Sequence, residues 1–296
     1  MSADEDQLTV WAKPPSETEE DKCRNAVDRI TKAITSKFGS SVSIFLQGSY
    51  KNRTNVKKDS DVDIVVRHND YYFPDVFFLS DNDKKTYWNN FIVSEYTFPR
   101  FKNDIQQVLE NEFDEGEVER KDKCIKIWGD EQRVNADVVP CFVHKRMKTP
   151  YTVDTEGIEL KTDGGIRIYS FPQQHFDNGA KKNNDTETFY KSVVRILKNV
   201  RNNLVDQGTI LDKAMPSFFL ECLVWNVPDQ NFAKNTFMEA TKSIVYTVWN
   251  DMGDTSRAQD YTEVSNLKWL FRGNDGRTPL QAKNFMAQAW AYTGFT

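Results

Sequence analysis

The 296-residue chain has no apolar run approaching the ~20 residues needed to cross a bilayer, and no apolar stretch opens it. Its beginning, MSADEDQLTVWAKPPSETEEDK, is acidic and carries adjacent prolines, unlike a secretory leader, so the expected compartment is cytoplasmic. Cysteine is scarce: Cys23, Cys124, Cys141 and Cys222 are scattered without a C-x-x-C pair, which argues against a structural zinc site and for reduced thiols. Basic residues do not predominate either. Lys and Arg number 39 against 44 Asp and Glu, a net charge of −5, so a broad surface for long duplex nucleic acid is not expected, although a local basic cleft is compatible. Internal repeats and low-complexity blocks are missing. What is left is an ordinary globular composition, 39% hydrophobic and rich in aromatics, long enough for one large domain or two modest ones.

The first strong element begins at Ser16. Ser16 and Glu19 have the spacing of a capping box, and Cys23, Val27, Ile30, Ile34 and Phe38 then form one face of a long helix that Gly39 ends. Val42 to Gln47 reads as a buried strand, followed by Gly48-Ser49-Tyr50 opening a short helix. A polar loop from Lys51 to Ser60 leads to a second strand, Asp61 to Val66. Residues 84–113 look helical. Lys123–Trp128 and Gln132–Phe142 read as a strand pair around Gly129-Asp130, and residues 150–185 as irregular. From Thr186 the pattern is helical: Phe189, Val193, Leu197, Val200 and Leu204 make an apolar stripe, Pro216 opens another helix, and residues 232–250 and 279–292 complete the set. The expected organisation is an α+β half over residues 1–185 and a helical half over residues 186–296, with a ligand cleft between them.

The chemistry is carried by Gly48-Ser49, an eleven-residue spacer, and Asp61-Val62-Asp63. On a strand, Asp61 and Asp63 share one face while Val62, Ile64 and Val66 take the other. Two carboxylates side by side repel unless a cation lies between them, and hard oxygens suit Mg²⁺. Glycine lets the backbone approach a ligand closely, and a helix start offers free N–H groups, so Gly48 and Ser49 read as a phosphate cradle. Asp137, in Val134-Asn135-Ala136-Asp137-Val138-Val139-Pro140, falls on a buried strand and needs a partner; a metal shared with Asp61 and Asp63 would supply one. Three carboxylates can hold two metals, the arrangement that clamps both oxygens of a phosphoryl transfer. Lys191, Arg195 and Lys198 share a helix face opposite the apolar stripe, either solvated or facing phosphate. Ser217, near a Pro-started helix N-terminus, is equally a cap or a phosphate ligand. His175 reads as a core histidine with no catalytic role, and Tyr50 as packing.

These residues resemble the DNA polymerase β-type nucleotidyltransferases, whose signature is Gly-Ser, a spacer, D-x-D and a distant third Asp. The chain is more closely similar to the bacterial cGAS/DncV-like nucleotidyltransferases (CD-NTases) of anti-phage CBASS systems, and within them to the E clade. The likeness runs through Trp11-x-x-Pro14-Pro15-Ser16-Glu17-Thr18-Glu19, Gln47-Gly48-Ser49-Tyr50-x-Asn52-x-Thr54-Asn55-Val56, Ser60-Asp61-Val62-Asp63, Phe171-Pro172-x-x-His175-x-x-Asn178-Gly179 and Val194-Arg195-x-x-Lys198-Asn199.

The resemblance implies an N-terminal spine helix, a mixed-sheet nucleotidyltransferase core and a helical C-terminal lobe closing a cage. It implies a cyclic dinucleotide synthase in which Asp61 and Asp63 hold two Mg²⁺ ions (Mn²⁺ can substitute) and Asp137 completes the site near the attacking hydroxyl. Gln47, Gly48 and Ser49 fall to the nucleotide, Lys198 and Ser217 to the triphosphate, and Phe218 to stacking on a base. ATP and other NTPs are the implied substrates. No long nucleic acid and no membrane is expected, and a downstream effector reads the product. Ser170 stands at what resembles the base-pocket position, where similar chains carry an Asn associated with uracil. An Asn amide matches the N3–H and O4 edge of uracil, whereas serine is shorter, offers one hydroxyl and leaves room for a purine. A cyclic dipurine, cyclic di-AMP foremost, is therefore expected over cyclic UMP-AMP. The competing readings are a linear oligonucleotide synthase and an inactive nucleotide-binding protein, which would typically lack metal carboxylates.

Overall fold

The computed structural model describes residues 4–56, 61–273 and 276–295. Ser60, the lead-in to the expected second strand, lies outside them. The elements in chain order are α1 (Glu5–Ala12), α2 (Glu17–Phe38), β1 (Val42–Gln47), α3 (Gly48–Asn52), β2 (Val62–Asp75), α4 (Asp81–Asn90) and α5 (Phe98–Glu112). There follow β3 (Val118–Arg120), β4 (Ile125–Ile127), β5 (Ala136–Thr149), β6 (Thr152–Lys161), β7 (Arg167–Ser170) and α6 (Pro172–Asp185). The remaining helices are α7 (Phe189–Asp206), α8 (Ser217–Trp225), α9 (Phe237–Asp251), α10 (Thr255–Gln259) and α11 (Pro279–Thr293).

By its contacts the chain divides into two compact units. One comprises Ser16–Gly48 and Ser60–Pro172. It holds a seven-stranded mixed sheet in the order β1-β2-β5-β4-β3, with β6 pairing β5 and β7 pairing β6. β2 and β5 run parallel and both are valine-rich, as strands covered on two faces must be. Val62, Ile64, Val65 and Val66 are all buried. α2 runs 22 residues; Ser16 N–H donates to Glu19 Oε2 at 3.1 Å at its start, and Cys23, Ala26, Ile30 and Ile34 are buried along it. α5 lays Phe101 against the sheet, its ring 5.7 Å from Phe142 and 5.2 Å from His68.

The other unit comprises Met1–Pro15, Ser49–Asp59 and Gln173–Thr296. Its core is helical: Val193, Leu197 and Val200 of α7 lie among Phe219 and Leu223 of α8, Ile244 and Val248 of α9, and Phe285 and Met286 of α11. α1 joins it by burying Leu8 beside Ile196, with Trp11 stacked 6.4 Å from Tyr292.

Three local expectations are corrected. Residues 150–185 are not irregular but form β6, β7 and α6. Gly164 and Gly165 mark the turn between β6 and β7, whereas Asn178, Gly179, Asn183 and Asn184 lie within α6, and Gly157, inside β6, is required where an added Cβ would lie 2.4 Å from the Ser170 carbonyl oxygen. Residues 84–113 split into α4 and α5, because Pro99 opens a second helix at its first turn. Asp61 stands one residue before its strand, which begins at Val62.

Candidate active site

The acidic residues are positioned by register. Asp63 in β2 faces Gln47 of β1 on one side and Asp137 of β5 on the other, and Asp137 faces Lys126 of β4. Gln47, Asp63, Asp137 and Lys126 thus form one row across four strands, a row that brings cross-strand side chains together. Asp61 is fixed from the backbone, since Val62 N–H donates to the Asn135 carbonyl at 3.0 Å. Asn135 also donates Nδ2 to Asp61 Oδ1 at 3.1 Å, and its own Oδ1 accepts from Gly129 N–H at 2.9 Å.

Lys126 bridges the carboxylates. Its Nζ donates to Asp61 Oδ2 at 2.5 Å and lies 3.8 Å from Asp137 Oδ1. Burial opposes its charge, but the hydrogen bond to Asp61 and the fields of Asp137 and Asp61 outweigh burial and raise its pKa. The same anionic field reaches Cys124, whose thiol is pushed up to about 12 by burial first and Asp137 next. Asp137 Oδ1 is buried and accepts no hydrogen bond. Gly48, at φ +68°, closes the site: a Cβ there would lie 2.1 Å from Asp63 Oδ2, so only glycine lets the carboxylate stand where it does.

Among the described residues no group of three or more His, Cys, Asp or Glu side chains is assembled as a metal cage. The chain brings Asp63 and Asp137 into register and ties Asp61 and Asp137 to one ammonium. That ammonium stands in for a cation, and the acceptor-only Asp137 oxygen beside it is a vacant hard-oxygen donor. The donor set therefore fits a divalent ion that Lys126 would yield to.

Of the basic face foreseen on α7, Lys191 is half-buried, and Arg195 and Lys198 are not solvated. Lys198 is 0% exposed and lies in the field of Glu221, and Arg195 is 7% exposed. Arg195 donates Nε to the Ala12 carbonyl and Nη1 to the Arg53 carbonyl, each at 2.6 Å. Burial and neighbouring Arg53 together lower its pKa to about 10. Ser217 is the first residue of α8, and its Oγ accepts from Arg201 Nη2 at 3.1 Å. Phe218 is 43% exposed, with its ring 5.7 Å from the His175 ring and 5.6 Å from the Arg277 guanidinium carbon. His175 is buried with Nε2 3.1 Å from Glu221 Oε1. Ser49 belongs to this helical unit, while Ser170, the last residue of β7, pairs with Ile158 in the sheet unit.

Sequence reasoning missed Lys126, Asn135 and Arg201. Lys126 was discernible as the polar residue inside Ile125-Lys126-Ile127, on a strand expected to pair with the one carrying Asp137. Arg201 carried no comparable signal, because its link to Ser217 spans two helices.

Residues 27–156 match the nucleotidyltransferase domain family, and residues 177–294 match the cGAS/DncV-like nucleotidyltransferase C-terminal helical domain. The chain is 45% identical over 295 residues to a cyclic dipurine nucleotide synthase of Elizabethkingia meningoseptica, covering 100% of both. It is 35% identical to the cyclic dipyrimidine nucleotide synthase CdnE of Cecembia lonarensis, covering 98% of each. The structure of the Elizabethkingia meningoseptica CdnE cyclic dinucleotide synthase with GTP and Apcpp superposes with a TM-score of 0.84 at 42% identity, covering 99% of each chain.

Proposed function

The chain belongs to the cGAS/DncV-like nucleotidyltransferases, and on that premise we propose that it joins two NTPs into a 3′–5′-linked cyclic dipurine, cyclic di-AMP foremost, as a signal in anti-phage defence. Like its family it depends on a divalent metal. In our reading Asp61, Asp63 and Asp137 hold two Mg²⁺ ions, with Gln47, Gly48, Ser49, Lys198, Ser217 and Phe218 binding nucleotide. The substrates are ATP and other cytoplasmic NTPs, no long nucleic acid is required, and an effector protein reads the product.

The observation that carries the reading is the row in which Gly48 abuts Asp63, Asp63 faces Asp137, and Lys126 bridges Asp137 to Asp61. Metal ions bound there would neutralise the triphosphate and stabilise charge on the bridging and leaving oxygens. The chain's own residues do the rest. In each of two transfers a 3′-hydroxyl oxygen bonds to an α-phosphorus, the bond to the β-phosphate oxygen breaks, and pyrophosphate leaves. The Asp137 carboxylate, near the attacking hydroxyl, takes its proton. Lys198 and the Ser217 hydroxyl hold phosphate oxygens, so that the reacting atoms are presented rather than found by diffusion. The Phe218 ring, already half-exposed, offers a face to a base. Ser170 sets the base choice by its shortness.

The test is the double variant Asp61→Asn/Asp63→Asn together with excess chelator. Both should abolish synthesis, while the variant stays folded because carboxylate repulsion is removed with the metal site. Full activity in either condition contradicts the reading.

A further inference from the structure

Ser49 sits at the head of a segment that is held from below by buried charged side chains. After α3 the chain turns at Arg53, whose φ of +55° lies in the left-handed region that a side chain disfavours. The Arg53 carbonyl accepts from Arg195 Nη1 at 2.6 Å. The next residue, Thr54, is 0% exposed and donates Oγ1 to Glu221 Oε2 at 3.1 Å. Its N–H returns to the Ser49 carbonyl at 2.9 Å. Ser49, the turn, Arg195 and Glu221 are therefore linked by three hydrogen bonds.

Both anchors are costly to keep. Arg195 and Glu221 are 7% and 3% exposed, and a buried charge is tolerated only when hydrogen-bonded. Glu221 gives its second oxygen to His175, and Arg195 its Nε to the Ala12 carbonyl, so each ties the turn to an element far away in sequence. Apolar side chains could pack here, but they could not hold a left-handed carbonyl or a threonine hydroxyl in place. A left-handed turn persists where its surroundings over-determine it, and such turns cluster at ligand clamps.

We propose that Arg195 and Glu221 are positioning residues that latch the Arg53-Thr54 turn and thereby fix the Ser49 hydroxyl and the start of α3 for the nucleotide triphosphate. This rests on the assignment of Ser49 to nucleotide in the preceding section. The latch acts through Thr54 and through the backbone, not the side chain, of Arg53.

The experiment is steady-state kinetics of the full chain with ATP as the varied substrate, alongside thermal melting. Thr54→Val, nearly isosteric, should raise KM for ATP about tenfold with kcat nearly unchanged, the loss expected of one hydrogen bond to a charged group. Thr54→Ser should restore KM. Arg195→Lys keeps the charge but loses the fork onto two carbonyls, and should raise KM in the same way. Arg53→Gly keeps the carbonyl and accepts the positive φ, and should leave KM at the wild-type value. Ser49→Ala should raise KM by itself, and adding Thr54→Val to it should change nothing more. Thr54→Val and Arg195→Lys that lower the melting temperature with KM unchanged, while Ser49→Ala raises KM, would reduce the network to scaffold and overturn the latch alone. Ser49→Ala with an unchanged KM would overturn the assignment of Ser49 and the latch together.

Discussion

Gly48→Ala isolates the tightest geometric demand of the acidic site. A Cβ at Gly48 would lie 2.1 Å from Asp63 Oδ2 and 3.1 Å from its Cγ. To regain ordinary contact the carboxylate must retreat by about 1 Å. Asp63 cannot retreat along β2, because its backbone is paired to Gln47 and Asp137 on both sides, so the side chain must rotate away from the row. A misplacement of about 1 Å in a positioned catalytic group costs on the order of a hundredfold in rate. The backbone contributes separately: an alanine in the left-handed region costs roughly 1–2 kcal/mol of stability. Gly39→Ala is the control, since Gly39 has φ +54° and nothing within 4 Å of an added Cβ. Product formation from ATP at saturating Mg²⁺ should fall about a hundredfold for Gly48→Ala and stay near wild type for Gly39→Ala, with melting temperatures lowered in both. If Gly48→Ala retained activity within about threefold of Gly39→Ala, well short of the loss expected from misplacement, the carboxylate position would not matter and the argument would fail.

Lys126→Met removes the ammonium that occupies the cation position, so Mg²⁺ should bind severalfold more tightly; calorimetric titration with Mg²⁺ in the absence of NTP reads this, and unchanged or weaker binding refutes it. Lys198→Ala should raise KM for ATP at least tenfold, the equivalent of a charge-assisted contact of ~1.5–3 kcal/mol. An unchanged KM would instead make Lys198 a buried partner of Glu221 with no part in nucleotide binding. Ser170→Asn supplies the amide that pairs with uracil, so with equal ATP, GTP, CTP and UTP the products should shift toward UTP incorporation; a wild type that already incorporates mostly UTP would remove Ser170 from base choice.

The periodic elements were legible because one local rule dominated each. The 3.6-residue stripe of α2 and α7 and the valine runs of β2 and β5 stand in the sequence as they do in the fold. The Gly-Ser to D-x-D spacing was legible for the same reason, since a strand, a short helix and a second strand follow from adjacent residues. What escaped depended on tertiary pairing. β6 and β7 looked irregular because each is held by a neighbouring strand, β6 by β5 and β7 by β6, rather than by alternation of its own. Arg195 and Lys198 read as a polar helix face because amphipathicity cannot distinguish water from buried carbonyls and a buried Glu221. Lys126 acquires its meaning only when β4 is laid beside β5.

The central claim, a primer-independent synthase of a cyclic dipurine, is tested most directly by one incubation. The purified chain is mixed with equal ATP, GTP, CTP and UTP and Mg²⁺, without any nucleic acid, and the products are resolved by mass spectrometry after phosphatase treatment. The account predicts a phosphatase-resistant cyclic dinucleotide built from purines, with cyclic di-AMP the largest species and pyrophosphate released twice per product. A product dominated by pyrimidines, a ladder of linear oligonucleotides, or no product until an RNA primer is added would contradict it.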